Sequence, residues 1–444
     1  MTALTANDPK CLSADRRRVS VSRQDVHVTQ ICTTAVRGGA ARAAYRLHRA
    51  LAGEEGVHSQ MLVGQKLGPD DGTLEYNPLA PAPAFLGRLF FRLCRRWHRP
   101  SLRKAGAYFT LDRTPVGWRL ASQLPAGDLV HLHWVADLFD YRTLPPLTSR
   151  LPVVWTFHDM NAFTGGYAWR CGACPQLKNS SGENDITRRV MDRKLRVFAH
   201  VSSARLAIVC PSRWLAGTVK HSLLCRNFDT RVIPNGIDTG EFYPVEQGEA
   251  RRQLDLPARA RIVLFVAENL TNRRKGFHLL LEAIEGLRNI PGLLLVTLGG
   301  SDTALLKGPH FRHLGPLHDG EKLRAAYSAA DVFATPALQD NLPNTVIESM
   351  ACGTPVAGFD AGGIGEAVVD GQTGLLAREA SAASLAGLLR RVLEDRRLRQ
   401  SLALESRLRV EREYNIRLQA QRYAALYREV LQRVPVHISN PPRT

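Results

Sequence analysis

The densest cluster of chemistry-bearing residues runs from Pro336 to Leu376, PALQDNLPNTVIESMACGTPVAGFDAGGIGEAVVDGQTGLL. It reads as a loop with Asp340 and Pro343, a helix starting near Asn344 or Thr345, a turn at Cys352 to Pro355, a strand, then Gly362 and Gly363. A helix N-terminus offers unpaired N–H groups and the positive end of its dipole, and adjacent glycines let backbone approach a ligand closely, so the segment suits a nucleotide diphosphate. Glu348, one turn into that helix, is placed to accept from ribose hydroxyls, and Asp340 just ahead of it to hold sugar hydroxyls. Each carboxylate also has a plainer reading, Asp340 as a loop residue or helix cap and Glu348 as part of a solvated helix face.

Such residues need a scaffold of strand ends and helix starts. Strand-like runs at Val26 to Cys32, His58 to Val63, Leu129 to His133 and Val153 to Phe157, with a helix from Ala40 to Ala52, set a βαβ rhythm. The rhythm restarts after residue 230 with strands at Ile262, Leu293, Val332 and Val356 and helices at His278, Lys322 and Thr345. Two such halves meeting near Pro211 to Pro244 would surround one ligand cleft.

A chain of 444 residues holds two or three domains, and 44% hydrophobic with 23% charged residues is ordinary for a globular enzyme. No apolar run is long enough to span a bilayer, and the N-terminus lacks the apolar core of a secretory signal. Eight scattered cysteines do not form a disulfide framework, which fits a reducing cytoplasm. The formal charge of +18 favours an anionic partner: nucleic acid, an acidic membrane face or a phosphorylated substrate. Residues 1–250 contribute +12 of it and 251–444 only +6.

A carboxylate, seven residues, then Glu348 followed by SMACGTPV and a GG turn resembles the retaining nucleotide-sugar glycosyltransferases of family four. GGAARAAYRLHRAL from Gly38, TFHD from Thr156, VIPNGIDTGEFYP from Val232 and RRKGFHLLLEA from Arg273 extend the resemblance over residues 26–430. The wording of HLHWVADLFDY, TFHDMNAFTGG, CGACPQL and DNLPNTVIESM is similar to the branch containing colanic-acid and exopolysaccharide glycosyltransferases.

The resemblance implies an α/β, GT-B fold: two facing Rossmann-like domains with an interdomain cleft and a C-terminal helix returning to the N-terminal domain. The expected divisions are a disordered leader (1–24), an acceptor domain (25–212), a linker (213–230), a donor domain (231–410), the return helix (411–434) and a tail (435–444). It implies that Lys275 binds the donor diphosphate, Glu348 the ribose, and that Asp340 and His158 lie beside the donor sugar, with Asp159 next to them. Gly38 and Gly39, after the first strand, would bring backbone to the diphosphate, and Asn344 and Thr345 open the phosphate-facing helix. Two departures stand out. Asp340 is shorter than the family's usual Glu, and Ala267 and Glu268 stand where a glycine and a phosphate-binding arginine are usual, leaving Arg273 or Arg274 to substitute. His131 and His133, ending a neighbouring strand, read as packing or acceptor-side residues. Cys171 and Cys174 make a single CxxC, short of a four-ligand zinc site, so neither metal nor other cofactor is expected.

In FLGRLFFRLCRRWHRPSLRK, from Phe85, the apolar Leu86, Leu89, Phe90, Leu93 and Trp97 fall at helical spacing among Arg88, Arg92, Arg95, Arg96 and Arg99. That is a basic amphipathic helix suited to an anionic lipid surface, with Arg88, Arg92, Arg96 and Trp97 as contacts; the plainer reading is a core-packed helix with a solvated basic side. The expected function is transfer of a sugar from a nucleotide diphosphate to an acceptor alcohol, a lipid-linked oligosaccharide, at the inner face of the cytoplasmic membrane. The rivals are a nucleotide-sugar epimerase of the same fold and, more remotely, a basic nucleic-acid-binding protein, for which no zinc-finger or aromatic RNA-binding motif is present.

Overall fold

The computed structural model describes residues 25–66, 72–98, 108–169, 185–300, 308–316 and 320–433, without the side chains of 95–98 and 185. The expected leader, the tail and the Cys171 and Cys174 pair lie outside the described residues.

The N-terminal unit is a seven-stranded parallel sheet in the order β3-β2-β1-β4-β5-β6-β7. Its strands are β1 (Val26–Thr34), β2 (Val57–Gln65), β3 (Leu74–Glu75), β4 (Leu129–Leu132), β5 (Val153–Thr156), β6 (Leu206–Cys210) and β7 (Asp229–Val232). Its helices are α1 (Gly39–Leu51), α2 (Ala84–His98), α3 (Leu144–Arg150), α4 (Asp185–Phe198) and α5 (Arg213–Lys220). The C-terminal unit is a six-stranded parallel sheet, β10-β9-β8-β11-β12-β13, of β8 (Arg261–Asn269), β9 (Leu293–Gly300), β10 (Phe311–His313), β11 (Val332–Thr335), β12 (Val356–Phe359) and β13 (Gly374–Ala377). Around it lie α6 (Gln247–Gln253), α7 (Phe277–Glu285), α8 (Gly320–Ala329), α9 (Asn344–Ala351), α10 (Ile364–Ala367), α11 (Ala382–Glu394) and α12 (Arg396–Glu413), followed by α13 (Ile416–Gln432). In each sheet the order reverses beside the first strand, β1 against β4 and β8 against β11, which puts a ligand crevice beyond those strand ends.

Buried apolar strands explain why both sheets are parallel and covered on two faces. One face of the N-terminal sheet packs on Trp155, Phe157, Phe139, Tyr141 and Phe198. The other, with Val26, Val28, Leu129, Val154, Ala207 and Val209, is covered by Ala420, Tyr423, Ala424, Tyr427 and Val430 of α13. The last helix therefore returns to the first unit because that face needs an apolar cover. Polar pins fix its register: His131 lies 2.7 Å from both the Tyr427 hydroxyl and Thr156 Oγ1, and Thr156 is 2.7 Å from the Tyr423 hydroxyl. His131 is a packing residue.

Residues 213–230 were expected as a linker and instead build α5 and enter β7, which pairs with β6. The Ser212 hydroxyl caps α5 by accepting from Leu215 N. An edge strand reading DTRV, half exposed, has no apolar run to betray it in the sequence. The crossing follows β7 and is joined to the return crossing: Ile237 N donates to Tyr414 O (2.8 Å), and Ile416 N donates back to Ile237 O (2.9 Å). A Cβ on Gly236 would lie 2.7 Å from Ile416 Cα, so only glycine lets the two crossings touch.

Candidate active site in the interdomain cleft

Three features of the C-terminal unit converge where β8 and β11 end. Asn272 caps a 3-10 turn, Arg273–Lys275, by accepting from Arg274 N. Gly276 follows at φ 72°, with no room for a Cβ, which would fall 1.7 Å from Pro336 O. This close approach lays the turn on the Asp340 loop. Lys275 Nζ donates to Asp340 Oδ2 at 2.5 Å, and Arg274 Nη1 donates to Gln339 O at 2.5 Å and lies 3.3 Å from Asp340 Oδ2. The Arg274 guanidinium also stacks 3.9 Å over the Trp169 ring of the N-terminal unit. Arg273 stays exposed. Burial alone would raise the Asp340 carboxyl, but Lys275 and Arg274 outweigh it and hold the group near 2. The short Asp340 side chain is thus committed to the two cations.

Gly362 and Gly363, expected at a phosphate, press on protein backbone instead. A Cβ on Gly362 would meet Asp340 O at 1.8 Å, one on Gly363 would meet Asn341 O at 1.9 Å, and Gly363 N donates to Asp340 O. Their smallness shapes the Asp340 loop.

Two helix N-termini face each other across the cleft. Neither Gly38, before α1, nor Pro343, before α9, supplies a side-chain cap, and neither first turn holds an acid. Asn344 Nδ2 donates to Gly39 O at 2.8 Å, and its Oδ1 accepts from Asn235 Nδ2 at 3.1 Å. Gly38, at φ 92°, faces Glu268, and Arg37 lies 3.8 Å from that carboxylate. Thr345 sits in the first turn of α9, half-buried. Two uncapped N-termini make a strong anion site.

Glu348 is buried and bridges the units. Its Oε1 accepts from Arg46 Nη2 of α1 at 2.7 Å, its Oε2 from the Tyr327 hydroxyl at 2.8 Å, and Arg46 stacks on Phe242 at 5.1 Å. A carboxylate has about four acceptor positions, so two remain for other hydroxyls.

On the N-terminal side, His158 follows β5. Its carbonyl accepts from Asn341 Nδ2 at 3.2 Å, and its Nε2 lies 3.3 Å from His133 Nδ1. Asp159 is turned away onto Asn161 N (2.8 Å) and Trp134 Nε1 (3.1 Å), and burial raises it to about 6. The next loop is anchored by Lys194, a fully buried lysine that sequence patterning did not single out. It donates to Asn161 O (2.6 Å) and Thr164 O, its ammonium is 4.4 Å from the Tyr141 ring, and burial lowers it to about 7. A recess of about 20 Å³ lined by His133, Trp134, His158, Asp159 and Asn161 opens here.

Burial holds His158 near 4 and, with mutual repulsion, pushes His131 and His133 well below 6.5. These groups have folded values below their unfolded ones, so the unfolded chain takes up protons first as pH falls. Their stability contribution is present above about pH 6.5 and is lost toward pH 4. Asp159 opposes this between about 6 and 3.8, but three histidines outweigh one carboxylate. Urea midpoints are expected to fall between pH 7 and pH 4.5; an unchanged midpoint would count against neutral buried histidines.

The remaining expected contacts are on α2. Phe91 is buried, whereas Phe85 (60%), Leu86, Leu89 (52%) and Leu93 (52%) are exposed. Arg92 is exposed, Arg88 Nη1 lies 3.1 Å from Glu75 Oε2, and the side chains of Arg96 and Trp97 lie outside the description. Among the described residues no helix is long and apolar enough to cross a membrane, and no group of three or more His, Cys, Asp or Glu is placed to hold a metal.

Residues 37–241 match the family described as Glycosyltransferase Family 4, and residues 246–409 match that described as Glycosyl transferases group 1. The chain belongs to this glycosyltransferase family. Its two units are the GT-B fold, and this family 4 chain is similar to HepE of Anabaena, solved with UDP-glucose (TM-score 0.61, 15% identity, 90% of this chain and 99% of that one). It is 29% identical over 302 residues to a D-inositol 3-phosphate glycosyltransferase of Arthrobacter sp. strain FB24, covering 62% of this chain and 65% of that protein. It is 27% identical over 358 residues to an alpha-maltose-1-phosphate synthase of Mycolicibacterium smegmatis, covering 74% and 86%. The family 4 chain spans 45% of the length of another D-inositol 3-phosphate glycosyltransferase, from Actinosynnema mirum, at 33% identity over 190 residues and 39% of this chain.

Proposed function

We propose that this chain is a retaining, metal-independent glycosyltransferase that moves a sugar from a nucleotide diphosphate to an alcohol. The observation that supports this reading most is the Lys275, Arg274 and Asp340 cluster beside the converging N-termini of α1 and α9. These groups supply preorganised positive charge where a diphosphate would leave, the role a divalent cation plays elsewhere. Glu348 keeps two acceptor positions for the ribose. Retention by double displacement would need a free carboxylate nucleophile. Asp340 is ion-paired and Asp159 is turned onto Trp134, so front-face attack is the better reading: the acceptor oxygen bonds to the anomeric carbon on the side the diphosphate leaves, and the departing diphosphate oxygen takes the acceptor proton. The matched families and relatives are glycosyltransferases, which disfavours the epimerase.

The acceptor is a lipid-linked oligosaccharide of a bacterial surface polysaccharide, met at an anionic membrane from the cytoplasmic side. The exposed apolar stripe of α2 beside Arg88 and Arg92 supports this placement. Leu89→Glu is expected to weaken co-sedimentation with phosphatidylglycerol vesicles about tenfold; equal binding of variant and wild type would remove the docking role.

A panel of UDP-, GDP- and ADP-sugars read by thermal shift tests the donor class, since a ligand that binds only the native state raises the midpoint. One nucleotide series is expected to stabilise the protein, and NMR of the product to show a retained anomeric configuration. Conversion of the donor without acceptor would overturn the transferase reading.

A further inference from the structure

We infer that Gln30 and His133 are positioning residues that hold His158 as a neutral imidazole with its proton on Nε2, leaving Nδ1 as a hydrogen-bond acceptor. The inference rests on the reading of His158 as a donor-sugar contact, and it adds which substrate groups that contact can recognise and what enforces the choice.

The argument is an accounting of donors and acceptors along a chain of side chains. Gln30, fully buried in β1, donates from Nε2 to Ser59 Oγ of β2 at 2.7 Å, and Ser59 Oγ lies 2.9 Å from His48 Nδ1 of α1. With the amide so oriented, Gln30 Oε1 faces His133 Nε2 at 2.8 Å. An amide oxygen only accepts, so His133 Nε2 carries a proton. A second proton on His133 would make a buried cation between His131, with ring centroids 3.9 Å apart, and His158, at 5.6 Å. His133 is therefore neutral and its Nδ1 is a lone pair. That lone pair is 3.3 Å from His158 Nε2, which must donate to it. His158, half-buried with its ring stacked on that of His133, is neutral as well, so its remaining nitrogen, Nδ1, is an acceptor. Among the described residues no side chain or backbone group hydrogen-bonds to that atom.

The consequence is chemical selectivity. A neutral ring with an outward lone pair accepts from a hydroxyl and repels phosphate oxygens, so His158 recognises sugar hydroxyls while the diphosphate is left to Lys275, Arg274 and the helix termini. The opposite polarity, with the amide turned over, would need Ser59 to donate to Gln30 and His48 to donate to Ser59. It would make His158 Nδ1 a donor.

Long-range nitrogen–proton NMR of the full chain at pH 7 reads the tautomers directly and needs neither donor nor acceptor, so it tests the relay apart from the transfer reaction. His158 signals are assigned by their loss in His158→Gln. The expected result is the Nε2–H form of His158 in the wild type and in Gln30→Glu, which keeps an acceptor facing His133, and a shift toward Nδ1–H in Gln30→Leu. Gln30→Leu is expected to lower kcat/KM about tenfold, the loss of one hydrogen bond's worth of positioning, with Gln30→Glu restoring most of it. An Nδ1–H form of His158 in the wild type would overturn the inference, whether or not Gln30→Leu folds. So would an unchanged tautomer in a folded Gln30→Leu protein.

Discussion

Replacing Lys275 by alanine is expected to lower glycosyl transfer about a thousandfold while the protein stays folded. The Lys275 ammonium is a point cation held in place before any donor arrives: Gly276 allows its turn to lie against Pro336, and Asp340 holds Nζ at 2.5 Å. Asp340, near 2, is charged at any working pH, so the pair needs no proton movement to form. As the diphosphate departs, negative charge grows on its bridging oxygen, and a cation already oriented toward it costs no reorganisation at that moment. The fold should survive because Lys275 is partly exposed and Arg274, 3.3 Å from the same oxygen, still balances Asp340. Turnover measured beside a melting curve checks both halves. Near-normal turnover would remove Lys275 from the reaction.

Arg46→Met is expected to destabilise the protein by about 3 kcal/mol and to loosen the two units, because it strands the Glu348 carboxylate in the interface with only the Tyr327 hydroxyl. The penalty belongs to the unpaired charge more than to the lost contact, since breaking a buried pair costs far more than replacing both partners. The double variant Arg46→Met with Glu348→Gln should therefore recover much of the lost stability while donor binding stays weak. Urea unfolding with small-angle scattering reads stability and separation together. A single variant as stable as wild type would show that the bridge does not hold the units. The expected rise in donor KM follows from geometry: Arg46 and Tyr327 fix the carboxylate so that its free acceptor positions are aimed.

The cleft residues were legible to different degrees. Lys275, Asp340 and Glu348 stand in short contiguous motifs, and a local motif survives in sequence because the turn or helix that carries it is built from neighbouring residues. Arg46, Tyr327, Asn235 and Trp169 were not singled out. Arg46 sits within the GGAARAAYRLHRAL helix as one of several arginines, and its partner is 302 positions away. Only packing the two units together selects it. The choice between Arg273 and Arg274 was open in the sequence for the same reason; the 3-10 turn directs Arg274 to Asp340 and leaves its neighbour in solvent.

The glycines show the limit of motif reading in another way. Gly362 and Gly363 suggested close approach, which is present, but to the Asp340 and Asn341 backbone. The linker over 213–230 failed where apolar patterning is weakest, at a short helix and a half-exposed edge strand.

By itself the sequence determined the alternation of buried strands and helices, the doubled α/β architecture and the main charged residues of the cleft, because periodicity and local motifs are properties of adjacent residues. The tertiary structure alone decided the pairings that cross between elements: α13 over the first sheet, Arg46 on Glu348, and the His158, His133, Gln30 and Ser59 chain. A hydrogen bond's direction or a buried ion pair's partner depends on which groups are left unsatisfied once water is excluded, and that is fixed only when the units close on one another.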